Sequence, residues 1–253
     1  MSVLLGRHLA QQKGIETIAL DCPGYGVTRP KRPYNHTYDD WVHLLQDFIE
    51  AEHARDGRPI VLYGLSAGGM LAYHVACGSG KVKGIIGMCF LNMDDQHVRS
   101  AASANDFWGG PVTSPVWKAL GPTPMGLLPV PIRVVTKMDK IANQQGAVDA
   151  FLTDPTSGGA IVNGLFLGSF MFYQPPVQPE VFRQCPILHT QPAEDRWVSL
   201  EISQIFTSRF KEVPFKMVQL EKAGHYPLEE PGICQLHDAV YNFVREQVPE
   251  GWH

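Results

Sequence analysis

A chain of 253 residues with 44% hydrophobic and only 18% charged residues has ample material for a buried core, which excludes disorder as its main state. Twenty-one Lys and Arg against twenty-five Asp and Glu give a formal charge of −4, with no basic cluster able to follow a phosphate backbone, so nucleic acid is not an expected partner. The longest apolar runs, such as Gly84 to Leu91, fall far short of the roughly 18 to 20 residues of a membrane span, and the opening MSVLLGRHLAQQKG does not read as a secretion signal. Five scattered cysteines (Cys22, Cys77, Cys89, Cys185 and Cys234) form no CxxC pair, which argues against a disulfide framework or a thiolate zinc site. A reducing, cytoplasmic setting is the expectation.

In chain order, Val3, Leu4, Leu5, His8 and Leu9 keep a helical spacing that stops at Gly14, and Ile15 to Leu20 then reads as a β-branched strand ending in Asp21. DCPGYGVTRPKRPYN is turn chemistry, with Pro23, Gly24, Gly26, Pro30 and Pro33 breaking any regular element. From Tyr38 to Glu52, Trp41, Leu44, Leu45, Phe48 and Ile49 fall on one helical face, with Thr37 or Asp39 as cap and Gly57 and Pro59 as the stop. Ile60 to Tyr63 is a continuous apolar strand of the kind buried on both faces of a parallel sheet. It is followed by GLSAGG, the helical MLAYHVAC, and a strand from Val82 to Leu91. After residue 184 come a strand at Pro186 to Thr190, a helix near Ser203 to Phe210, a strand at Phe215 to Val218 and a terminal helix from Ile233 to Val248.

This alternation predicts an α/β fold with a mostly parallel sheet flanked by helices. Between residues 94 and 184 it breaks into a proline- and aromatic-rich stretch with no clear strand, read as an inserted helical lid. Residues 1–93 and 185–253 then form the core.

Gly64-Leu65-Ser66-Ala67-Gly68 is a G-x-S-x-G pentapeptide between a buried strand and a helix. That is the setting of a nucleophile elbow, where a sharp turn holds the serine in a strained conformation and small flanking residues avoid the neighbouring backbone. A serine hydroxyl needs a base within hydrogen-bond reach and an acid to orient that base. Of ten histidines, His225 is the best placed: Gly224 and Pro227 keep it out of helix, just past the last predicted strand. His74 and His237 fall in helical patterns and His189 in a strand, so structural roles are expected for them. Asp195 follows a strand of the same type and is the leading acid, with Glu194, Asp94 and Asp95 as alternatives. The order Ser66, Asp195, His225 is the nucleophile, acid, base order of this scaffold.

Taken together, the chain resembles the α/β-hydrolase superfamily from Gly6 to its C-terminal helix. Asp21-Cys22-Pro23-Gly24-Tyr25-Gly26 matches the family's D-x-P-G-x-G loop, and Ala223 to Pro231 matches its catalytic histidine segment. The resemblance implies a cofactor-free, metal-free serine hydrolase acting on a carboxylic ester or related small acyl substrate, which the aromatics of the lid segment would make apolar. The backbone N–H of Ala67 would serve as one oxyanion donor. Trp108, Trp117, Phe151, Phe166, Phe170, Phe172, Tyr173, Met125 and Met171 would either wall an acyl pocket or pack the lid's own core.

One departure stands out. Relatives begin with strands ahead of Val3 and carry an oxyanion loop, usually opening His-Gly, for which nothing here corresponds. In their sheet a further strand lies between those that Ile15 to Leu20 and Ile60 to Tyr63 would form, so these two are expected to be either separated or newly paired. The expectation is that the coding region extends upstream by about 30 to 50 residues. The rival reading is a non-catalytic or truncated member without a complete oxyanion hole.

Overall fold

The computed structural model describes residues 2–28 and 35–248, with the side chains of residues 2–4 undescribed. The predicted turn residues Pro30 and Pro33, and the side chains of Val3 and Leu4, therefore lie outside the described residues. The first helix, α1 (Ser2–Lys13), stops at Gly14, whose φ of +66° suits a residue without a Cβ. Helix α2 (Tyr38–Asp56) is capped by Thr37, whose hydroxyl accepts from the Asp40 N–H while the Asp40 carboxylate accepts from the Thr37 N–H. Gly57, in the left-handed region, ends it.

Strand β1 (Ile60–Leu65) leads into α3 (Ala67–Gly78), and β2 (Val82–Met88) follows. Next come α4 (Gln96–Ala102), α5 (Asp106–Gly109), α6 (Ser114–Leu120), β3 (Pro129–Pro131), α7 (Ile132–Val135), α8 (Gln145–Thr153), β4 (Ile161–Asn163) and α9 (Gly164–Met171). The chain then returns to the sheet as β5 (Ile187–Pro192), α10 (Leu200–Thr207), β6 (Phe215–Leu220) and α11 (Gly232–Gln247). The main sheet is parallel in the order β1-β2-β5-β6.

Period-two alternation divides its side chains. Ile85 and Ile187, partners across β2 and β5, face a core shared with α2, α3 and α10. Ile86 and Leu188, the next pair, face α1 and α11 through Leu5, Leu9, Val240 and Phe243. That double burial is why these strands read as unbroken apolar runs.

Two expectations are corrected. Ile15 to Leu20 is not a strand: it belongs to no ladder, and Ile18 and Leu20 are half exposed. A strand needs a partner's backbone, and here a channel of about 570 Å³ intervenes between this segment and β1, the sheet edge. Its walls are apolar on both faces, with Leu5, Leu9 and Val244 on one side and Phe48, Leu71 and Val75 on the other. At the start of β1, Arg58 pairs with Glu16 and ties the segment down from one end. Secondly, residues 94–184 do contain strand: β3 and β4 pair antiparallel. Pro129 and Pro131 argued against it, yet a two-stranded ribbon has only outer edges, where a missing N–H is tolerated.

The inserted segment shares its core with the sheet. Val98, Val135, Phe166 and Met171 belong to the same buried cluster as Tyr73 and Ile85. Tyr38 joins the two parts, its N–H donating to Ser169 Oγ at 2.8 Å while its hydroxyl lies 2.9 Å from His74 Nδ1.

Candidate active site

Ser66 sits between β1 and α3 with φ 58° and ψ −115°, a conformation rarely adopted by a residue with a side chain. It persists because the surroundings fix it: the Ser66 N–H donates to Met88 O at 2.7 Å, and Ser66 O accepts from Gly69 and Met70 in the first turn of α3. Glycine is required at 64, since a Cβ there would run into the Gly68 carbonyl, and at 69, where it would lie 2.7 Å from Cys89 O. Gly68 departs from the expectation for the motif. A Cβ there meets nothing within 4 Å, because Gly68 borders the channel beside β1. As the first residue of α3, Ala67 has an N–H without an intrahelical acceptor.

His225 lies in the loop between β6 and α11. The Glu229 carboxylate accepts from the Gly224 and Leu228 N–H groups, and the Tyr226 N–H donates to Ile141 O. Asp195 lies in the loop after β5, and the two loops are stitched by Glu194 N–H donating to Ala223 O at 2.9 Å. The result is a hydrogen bond of 2.7 Å between His225 Nδ1 and Asp195 Oδ2, with both side chains 1% exposed. Asp195 Oδ1 meanwhile accepts from the Trp197 and Val198 N–H groups, each at 2.8 Å. Burial alone would raise the Asp195 carboxyl, but the His225 bond and charge, with those two N–H donors, outweigh it and hold the group below its ordinary value.

The alternative acids stand elsewhere. Asp95 caps α4, accepting from the His97 and Val98 N–H groups, and the Asp94 carbonyl accepts from Arg99. Glu194 is exposed. Ser66 is 8% exposed, and among the described residues no hydrogen bond joins its hydroxyl to His225. Such bonds often tighten only when substrate binds.

The three histidines expected to be structural hold packing positions. His74 bonds Tyr38, His189 bonds Gln191 within β5, and His237 stacks on His8 with ring centroids 3.9 Å apart. Among the described residues one group, Cys89, Asp195 and His225, brings possible metal-ligating atoms within 4.8 Å of one another. Its atoms are already hydrogen-bonded to each other.

With this geometry in view, a comparison with protein-family models matches residues 2–233 to the alpha/beta hydrolase family. The chain belongs to the α/β-hydrolase family. Among solved structures it resembles a monoacylglycerol lipase of Paleococcus ferrophilus at 18% identity and TM-score 0.69, over 89% of this chain and 81% of that one. A soluble variant of the monoglyceride lipase of Saccharomyces cerevisiae gives 16% identity and TM-score 0.70, over 90% and 76%. Est1E of Butyrivibrio proteoclasticus, solved with ferulic acid, gives 17% and 0.62, over 97% and 82%. A comparison with curated proteins finds no match.

Within this hydrolase fold most of the aromatics singled out in the inserted segment pack the core. Phe166 and Met171 are buried, Phe170, Phe172 and Tyr173 pack against them, and Trp108 stacks on Trp117 at 4.9 Å. Met125 is exposed, and Phe151 meets Tyr226 beside His225. Two residues at the site escaped the sequence reading. Trp197 places its ring 4.9 Å from that of His225 and donates its indole N–H to Ala102 O. Cys89 donates its S–H to Asp195 Oδ2 at 3.2 Å. The signal for Cys89 was its place at the C-terminal end of a parallel strand, the rim where such sheets carry their sites.

Proposed function

We propose that this chain is a serine hydrolase acting on a carboxylic ester or related small acyl substrate. The observation that carries the reading is the buried 2.7 Å bond between His225 Nδ1 and Asp195 Oδ2, in a fold whose elbow holds Ser66 at φ 58°. An imidazole whose Nδ1 proton is committed to a carboxylate presents Nε2 as a base.

Ser66 Oγ attacks the substrate carbonyl as its proton passes to His225 Nε2. The carbonyl oxygen becomes an oxyanion facing the Ala67 N–H. Collapse expels the alcohol, which takes the proton from His225, and leaves an acyl group on Ser66. Water, deprotonated by the same imidazole, releases the acid and restores the hydroxyl. Asp195 holds the tautomer and steadies the imidazolium throughout. Every proton is returned within the cycle, so the scheme calls for no cofactor or metal.

Lipases and esterases among the structural neighbours support an ester substrate, and the aromatic side chains of residues 94–184 favour an apolar acyl group under a lid formed by that segment. No helix among the described residues is long and apolar enough to cross a membrane. All five cysteines are free.

A second reading, a non-catalytic member, is favoured by one observation: the channel beside β1 borders the elbow at Gly68. One oxyanion donor is worth about 3 to 4 kcal/mol in the transition state, so a site with Ala67 alone is slow. A fluorophosphonate probe separates the two readings. The first expects a single adduct on Ser66, absent in Ser66→Ala. Labelling that persists in Ser66→Ala overturns that assignment, and no labelling of the native chain supports the second.

A further inference from the structure

We propose that Cys89 is a positioning residue for the Asp195–His225 pair, its thiol moderating the carboxylate that faces the imidazole. This rests on the serine-hydrolase reading and adds a fourth participant to it.

Both oxygens of Asp195 are fully engaged. Oδ1 receives the Trp197 and Val198 N–H groups, and Oδ2 receives His225 Nδ1 at 2.7 Å and Cys89 Sγ at 3.2 Å. A carboxylate has about four acceptor positions, and all are taken. His225 and Cys89 thus share one oxygen, so whatever the thiol draws from Oδ2 is withdrawn from the bond that stabilises the imidazolium.

The backbone places the thiol deliberately. Cys89 follows the last residue of β2 with φ 59°, in the left-handed region, and its N–H donates to Thr190 O within β5. The preceding carbonyl, Met88 O, accepts from the Ser66 N–H. Cys89 therefore stands between the nucleophile's strand and the acid's strand, with no exposed surface. Burial, with the neighbouring Asp195 charge, pushes the thiol well above its ordinary value, so it remains an S–H donor across the working range.

Gln191, on β5, also hydrogen-bonds the thiol and acts in the opposite direction, lowering it without outweighing burial. From β1, Tyr63 is held protonated by burial and bonds Met88 Sδ. Tyr226, on the histidine's own loop, is raised by burial, and Glu229 is engaged with the Gly224 and Leu228 N–H groups. Trp197 meets the imidazole with its ring.

The test compares the native chain with Cys89→Ala, Cys89→Gly and Cys89→Ser. Ala removes the donor, and Gly removes it while suiting the positive φ, which covers the case in which Ala fails to fold. Ser keeps a donor on the same Cβ. Ester turnover is followed against pH, together with the low-field proton resonance of the imidazole Nδ1–H bonded to a carboxylate, which needs no turnover. With the competing donor gone, Oδ2 holds the imidazolium more firmly. The acid limb of kcat/KM should then move up by about 0.5 to 1 pH unit in Ala and Gly, so that turnover on that limb falls about threefold to tenfold while the alkaline plateau and KM stay. The Nδ1–H resonance should move downfield in the same two variants, and Ser should restore both. An unchanged limb and resonance in Ala and Gly, whatever their melting temperatures, would reduce Cys89 to packing. If the native chain turns over no ester, the hydrolase reading fails by itself and the resonance alone decides for or against Cys89.

Discussion

His225 Nδ1 stands 2.7 Å from Asp195 Oδ2 across two loops that are 30 residues apart in sequence. Asp95 instead closes the N-terminus of α4, accepting from His97 and Val98. Two acids that the sequence left in competition thus have separable roles. Asp195→Asn is expected to lower turnover by about 10⁴ with KM nearly unchanged, because the imidazole loses its tautomer. Asp95→Ala is expected to leave turnover intact and to cost about 1 kcal/mol of stability through the lost cap. Steady-state kinetics and urea titration on both variants check the pair. A fully active Asp195→Asn would remove Asp195 from the mechanism.

The elbow makes a sharper steric statement. A Cβ at Gly64 would overlap the Gly68 backbone, whereas a Cβ at Gly68 meets nothing within 4 Å. Gly64→Ala should therefore cost about 3 kcal/mol or more and depress soluble yield. Gly68→Ala should change stability by less than about 1 kcal/mol, in the favourable direction, since alanine is the better helix former. Chemical denaturation of the two variants side by side reads this out. Equal losses at both positions would mean that Gly68 is more enclosed than the channel at its side implies.

Burial of two histidines sets a pH dependence of stability. Burial pushes His74 down to about 3, and it pushes His189 down to about 4 against an opposing hydrogen bond with Gln191. An unfolded imidazole titrates near 6.5, so below that value the unfolded chain binds protons that the folded chain refuses. Stability is therefore complete above about pH 7 and falls as the pH drops toward the folded values, by about 2 kcal/mol per histidine at pH 5. Asp195, held low in the folded state, adds a loss in the same direction at more acid pH. Urea midpoints at pH 7 and pH 5 measure the slope, and His74→Gln should remove about 2 kcal/mol of the loss at pH 5, leaving the parts due to His189 and to His36 and His237, which burial also lowers. A flat profile would show that these rings take up protons without unfolding.

Much of the candidate site was legible in the sequence because its parts announce themselves locally. Gly64 to Gly68 follows a continuous apolar strand, and Gly224 and Pro227 bracket His225 in a loop. Asp195 was harder, since Glu194 and Asp95 sit at similar strand ends, and it takes long-range bonds, Glu194 N–H to Ala223 O and His225 Nδ1 to Asp195 Oδ2, to show which loop meets His225. Cys89 was passed over because a single cysteine at a strand end looks like a small apolar residue until its neighbour across the sheet is known. The Ile15 to Leu20 reading failed for a related reason. Residue pattern reports which side chains suit a strand, while a ladder depends on a second backbone that local sequence does not contain.

The channel beside β1 has two apolar faces, one formed by α1 and α11 and the other by α2 and α3. Its two sides are the open edge of β1 and the extended segment from Ile15 to Leu20. A slot bounded by two faces and two backbone edges suits an extended strand with apolar residues on both sides, like β1 itself. Among the described residues, Ile18 and Leu20 are half exposed there and one edge of the six-residue β1 has no partner strand, which promotes dye binding and edge-to-edge association. The native chain should therefore enhance the fluorescence of 8-anilinonaphthalene-1-sulfonate before any unfolding, and Ile18→Ser with Leu20→Ser should reduce it. A chain carrying an apolar six-residue strand ahead of Ser2 should melt higher, bind less dye and stay in solution at higher concentration. Each backbone hydrogen bond gained at the β1 edge adds about 1 kcal/mol, and the apolar faces add about 25 cal/mol for each Å² covered. Equal melting and equal dye binding in the two chains would show that the slot does not take a strand.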